Sequence, residues 1–157
     1  MPRYQYEVFS QNSKEIRLLS LLPGTFDADV KIVLRNNSFS TSSPPSYEAL
    51  SYVWGTSQNP VNIGIGSGND SLSVTQSLAI ALPHLRYTDR EKVLWIDAIC
   101  IDQSNVQERG QQVEIMGDIY KFAERVVVWL GDEANDSDHA MQLLSDLGSK
   151  KCWRSRR

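Results

Sequence analysis

The chain is poor in the residues that metal and redox chemistry need. Among 157 residues it has two cysteines, Cys100 and Cys152, and two histidines, His84 and His139. No two of these four are spaced as zinc ligands or as a reactive dithiol, and two isolated thiols suit a reducing compartment. No apolar run approaches the roughly 20 residues that span a bilayer, and Met1–Gln11 lacks the apolar centre of a signal peptide. A cytoplasmic protein without a membrane span is therefore expected. Net charge is only −3, which gives no general attraction to nucleic acid or an anionic surface. Apolar residues at 41% and charged residues at 22% fit one globular domain able to bury a core without staples.

What is present is a clear change of period along the chain. Ile16–Leu22 is a compact apolar run ended by the turn signal Pro23-Gly24. Val30, Ile32 and Leu34 alternate with Lys31, Val33 and Arg35, as in a half-buried strand. Residues 36–46 read as a polar loop, Ala49–Trp54 as a strand closed by Gly55, and Val61–Ile65 with Ser71–Val74 as a hairpin. From Thr75, a plausible N-cap, Leu78, Ala81, Leu82 and Leu85 recur at helical spacing, with Pro83 able to kink or shorten the helix. A strand at Val93–Ile96, a helix over Asn105–Ala123, a strand at Val126–Leu130 and a last helix over Ser137–Leu147 follow. This alternation predicts an α/β fold: a mostly parallel central sheet with flanking helices, flavodoxin-like, preceded by an N-terminal β hairpin region. The basic ending, residues 150–157, could meet an acidic partner, although short charge runs are usually solvated.

The chemistry is expected around Leu94-Trp95-Ile96-Asp97-Ala98-Ile99-Cys100-Ile101-Asp102-Gln103. Two acids interrupt a strand that should be continuously apolar, and ligands of open α/β sheets sit where a strand's carboxyl end meets the next helix. Ser104 with Gln107 matches a capping box that would start the helix. On a helical projection Val113, Met116, Ile119, Tyr120 and Ala123 form the apolar face. Arg109 and Gln112 project onto it, and Glu108 lies at its margin. Inward polar groups must find partners, and Asp97 and Asp102 are the ones expected for Arg109. A polar ligand pocket and an internal ion-pair network that only braces the loop both fit this pattern. Trp54 is a candidate aromatic wall. Ser51 lacks a nucleophile-elbow context, and Gly64, Gly66 and Gly68 lie in a hairpin rather than opening a helix. Cys100 reads as a small buried thiol.

Several motifs in order resemble the fungal heterokaryon-incompatibility (HET) domain family. They are Ile16-Arg17-Leu18-Leu19 with Pro23-Gly24, Tyr47-Glu48-Ala49-Leu50-Ser51-Tyr52-Val53-Trp54-Gly55, and the Leu94–Gln103 stretch. Glu108-Arg109, Gln112-Val113, Met116, Ile119-Tyr120, Ala123 and Val128-Trp129-Leu130-Gly131 continue the series. The resemblance implies an N-terminal extension at 1–15, a HET domain over 16–148 and a basic tail at 149–157 behind which a regulatory domain is missing. It also implies a role in fungal non-self recognition that triggers programmed cell death, through self-association. A truncated, non-signalling fragment is a further alternative. The family's comparison with TIR domains, some of which cleave NAD, implies a second reading as an NAD glycohydrolase with NAD as substrate rather than cofactor. Its catalytic carboxylate would be Glu108, Asp97 or Asp102, with Glu108 best placed on the helix. Trp54, Gln103, Arg109 and Gln112 would bind the ligand, and no metal is implied. That reading places Asp97, Asp102, Glu108 and Arg109 around one cleft bordered by Trp54.

Overall fold

The computed structural model of the chain describes residues 2–10, 14–66 and 68–131. Its central strand is β1 (Glu15–Leu21), buried from Ile16 to its end. Apolar side chains on both faces of one strand require cover on both sides of the sheet. After the Pro23-Gly24 turn, β2 (Lys31–Ser38) runs back antiparallel, with Leu21 opposite Ile32 and Glu15 opposite Ser38. This is the expected N-terminal hairpin. Next come β3 (Glu48–Tyr52), β4 (Val61–Ile65), β5 (Asp70–Val74), α1 (Gln76–Leu85), β6 (Lys92–Trp95), α2 (Asp97–Cys100), α3 (Val106–Phe122) and β7 (Arg125–Trp129).

The seven strands lie in the order β5-β4-β2-β1-β6-β3-β7. The fold is α/β as expected, but the sheet is mixed rather than mostly parallel. β2–β4, β3–β6 and β3–β7 pair parallel, whereas β1–β2, β1–β6 and β4–β5 pair antiparallel. Long crossovers through α1 and α3 return the chain in the same direction for β3, β6 and β7, and the passage through β3 brings β4 back parallel to β2. The hairpin connections of the N-terminal half give antiparallel neighbours. The two margins also differ. Pro2–Tyr4 runs beside β5, where Tyr4 N donates to Ser71 O and Ser71 N to Pro2 O, both at 3.0 Å. Among the described residues nothing pairs with the outer side of β7, where Val126, Val128 and the following Leu130 are exposed.

Thr75 caps α1 as expected, its hydroxyl accepting from Leu78 N, and the helix ends two residues after Pro83. The α3 start is corrected by one residue. Asn105, not Ser104, is the cap, its Oδ1 accepting from Glu108 N at 3.1 Å. Ser104 instead turns back to the Asp102 carboxylate. The buried face of α3 is rotated as well: Glu108, Gln112 and Ile119 face inward, whereas Val113 is 56% exposed. Two aromatic anchors fix this rotation. Tyr47 Oη donates to Ile119 O at 2.6 Å, and Tyr120 Oη donates to Leu50 O at 3.1 Å while its ring meets Trp95 edge-on. The expected last helix and the basic tail lie outside the described residues.

Candidate functional site

β3, β6 and β7 run parallel, so their carboxyl ends open on the same side, and β1, antiparallel to β6, begins there. Trp54 leaves the end of β3 and Asp97 leaves the end of β6. Gly55 follows Trp54 with φ of 72°, a conformation that suits glycine. Trp54 Nε1 donates to Asp97 Oδ2 at 3.2 Å, and Ala98 N donates to Asp97 Oδ1 at 2.7 Å. Gln103 folds back over α2, its Nε2 donating to the Asp97 carbonyl at 2.9 Å. Strand end, short helix and loop are thereby tied into one corner.

No cation bonds to Asp97 among the described residues. Burial pushes its carboxyl above the ordinary aspartate value, with the Ala98 and Trp54 donors pulling partly the other way. Tyr52 and Tyr120 sense the same charge. Burial raises both phenols, and the Asp97 carboxylate raises them further. Among the described residues Tyr52 Oη is buried without a hydrogen-bond partner. The corner is a partly dehydrated carboxylate beside one exposed indole and two phenols.

The other sequence-predicted residues have different partners. Asp102 accepts from Ser104 N and Oγ, closing its own turn. Arg109 is exposed, and its guanidinium reaches Gln103 O at 3.4 Å. The expected pairing of Arg109 with Asp97 or Asp102 does not form. Gln112 Nε2 donates to Glu15 O at 2.8 Å, pinning α3 to β1. Glu108 faces a cation that the sequence reading passed over. Arg17 of β1 is fully buried, and its Nη1 donates to Glu108 Oε1 and to Cys100 O, both at 2.8 Å. Arg17 Nη2 donates to Glu7 O, while Tyr6 and Phe9 lie 4.7 and 4.4 Å from its guanidinium carbon. Glu108 Oε1 also accepts from Asp102 N at 2.7 Å. An arginine inside the apolar run Ile16–Leu22 is the same kind of signal as the acids of Leu94–Gln103. The structure thus brings Trp54, Asp97 and Gln103 together, and sets Glu108 and Gln112 against β1.

Cys100 is buried beside this pair and its thiol is pushed up to about 12 by burial, which leaves it a poor nucleophile. Among the described residues no three His, Cys, Asp or Glu side chains group as metal ligands, and no helix is long and apolar enough to cross a membrane.

A mixed seven-stranded sheet with an aromatic–carboxylate corner at the carboxyl ends of its parallel strands defines an α/β domain with a strand-end site. Comparison with known sequences narrows the class. The profile described as "Heterokaryon incompatibility protein (HET)" matches residues 47–156, and the chain belongs to this family. It is similar to "Heterokaryon incompatibility protein 6, OR allele" of Neurospora crassa, 39% identical over 158 residues, covering 94% of this chain and 23% of the relative. It is also similar to "Vegetative incompatibility protein HET-E-1" of Podospora anserina, 27% identical over 97 residues, covering 61% of this chain and 7% of that protein. The chain thus spans less than a quarter of the length of either relative. No solved structure matches it.

Proposed function

We propose that the chain is the effector domain of a fungal incompatibility protein, acting in non-self recognition and setting off programmed cell death through self-association in the cytoplasm. The observation that carries this reading is the identity to the Neurospora protein, which runs over 94% of this chain but 23% of the relative. That is the pattern of a module shared within a longer protein, and a regulatory domain beyond it is the expected partner. Inducible expression of the chain in a Neurospora crassa host, scored for growth arrest and dye uptake, tests the proposal. Death that is lost with Trp54→Ala or Asp97→Asn supports it. Unimpaired growth at high protein level, with a monomer at every concentration in sedimentation, refutes it for this chain and favours a non-signalling fragment.

A second reading, hydrolysis of NAD, is favoured by the chemistry of Asp97. In that reaction the bond from ribose C1′ to the nicotinamide nitrogen breaks and its electron pair goes to the ring. Water adds its hydroxyl to C1′ and its other proton is released. A carboxylate without a cationic partner is suited to stabilise the oxocarbenium-like charge, and an exposed indole to face the departing ring. Asp97 fits this role better than Glu108, which is bonded to Arg17, and better than Asp102, which is bonded to Ser104. Arg109, exposed beside Gln103, would supply the cation for the pyrophosphate. A TIR-like or flavodoxin-like relationship belongs to this reading, supported by the gathering of the site at parallel strand ends. Loss of NAD that disappears in Asp97→Asn and persists in Glu108→Gln supports it. Absence of turnover by the concentrated wild-type chain rejects it.

A further inference from the structure

A groove of about 300 Å³ runs along the N-terminal half of α3, walled by Phe9 of the N-terminal segment and rimmed by Lys14, Glu15 and Glu114. Its floor holds Glu108 and Gln112, one turn apart on α3 and both more than nine-tenths buried. The Gln112 amide is oriented by the bond from its Nε2 to Glu15 O, so its Oε1 is the atom left over. Among the described residues Oε1 is buried and has no hydrogen-bond partner. The Glu108 carboxylate next to it is unevenly used. Oε1 accepts short bonds from Arg17 and Asp102 N, whereas among the described residues Oε2 accepts only one, at 3.4 Å from Arg17 Nη2.

A buried acceptor without a donor is costly, and here two acceptors with spare capacity belong to groove-lining residues four positions apart on α3. The charges around them leave one carboxylate in excess, since Arg17 and Lys14 oppose Glu15, Glu108 and Glu114. We propose that this groove binds a cationic N–H donor of guanidinium type, whose planar fork addresses Gln112 Oε1 and Glu108 Oε2 together. The site is separate from the Trp54–Asp97 corner and does not depend on either reading of it. Free small molecules and arginine side chains of a peptide share this chemistry.

Titration of the ¹⁵N-labelled 157-residue chain with N-acetylarginine amide and with the peptide Gly-Gly-Arg-Gly-Gly tests the proposal. Saturable shifts are expected over residues 105–115, and the citrulline counterparts, which keep the shape but lose the charge, bind about tenfold more weakly. Gln112→Met, which keeps the bulk and removes the acceptor, also weakens binding about tenfold. Glu114→Gln, an exposed change that leaves the core intact, weakens it about threefold, so the test survives if the Gln112 variant fails to fold. Equal affinity of both arginine ligands supports a small-molecule site, and a tighter peptide supports a peptide site. Equal binding of arginine and citrulline, unaltered binding by Glu114→Gln, or absence of saturable shifts in the groove overturns the proposal.

Discussion

Glu108→Ala removes the anionic partner of an arginine that has no access to water. Arg17 is 0% exposed and holds four acceptor contacts, two of them to Glu108. In the variant the remaining carbonyls of Cys100 and Glu7 leave its charge uncompensated, and Asp102 N loses its acceptor as well. Removing one member of a buried ion pair costs about 3–5 kcal/mol, against a total stability of about 5–15 kcal/mol for a domain. At about 2–4 °C per kcal/mol for a chain of this size, the melting temperature falls by roughly 6–20 °C. Urea unfolding followed by circular dichroism and tryptophan fluorescence measures the loss. The double variant Arg17→Met with Glu108→Leu recovers most of it, because an apolar pair of similar volume avoids burying charge. A cost below about 1 kcal/mol for Glu108→Ala, the scale of a solvated pair, would refute the reasoning. So would a double variant less stable than the single one.

Other substitutions probe separate links. Burial raises the Asp97 carboxyl above its ordinary 3.8, so the folded state holds that proton more tightly than the unfolded chain, and stability declines as pH rises through the interval between the two values. Asp97→Asn flattens that slope in urea midpoints taken from about pH 3 to about pH 7; an unchanged slope assigns it to another group. Burial pushes Glu48 upward, but hydrogen bonds from Arg125 and Lys92 outweigh it and hold the carboxyl below 4.5. The stability this adds is present above the unfolded value and lost as pH falls through the lowered one. Glu48→Gln is accordingly less acid-sensitive than the wild type, and equal acid midpoints would contradict that. Cys100 resists iodoacetamide at about pH 8 until the chain unfolds; peptide mapping that finds it alkylated in the native state disproves its burial. Asn105→Ala costs about 1 kcal/mol through loss of the α3 cap, and the same loss from Ser104→Ala instead would return the cap to Ser104.

Most elements were legible in the sequence because each has a local cause, whereas the four-residue α2 was not foreseen within Leu94–Gln103. The apolar run of β1, the alternation of β2, the turn residues around β4 and β5, the cap at Thr75, and the helical spacing through Leu85 all act within a few residues. The strand order depends on pairings between distant segments, and β1 entering antiparallel to β6 leaves no periodic trace. The rotation of α3 was obscured for the same reason. Its apolar period alone turns Val113 inward, but Glu108 is held by an arginine 91 positions away and Gln112 by a backbone carbonyl 97 away. At the site, proximity of Trp54 and Asp97 follows from two strands that end together, whereas Arg17 carried its signal as one charge within an apolar run.

The outer side of β7, unpaired among the described residues, has a mechanical consequence. Its free backbone donors and acceptors are what a further strand takes up, and β7 is bonded residue for residue to β3, Trp129 lying opposite Tyr52. A strand joining there would stand one strand away from the one that carries Trp54. Pull, twist or shift imposed at that margin would travel through a single ladder of hydrogen bonds to the indole, and from the indole to Asp97.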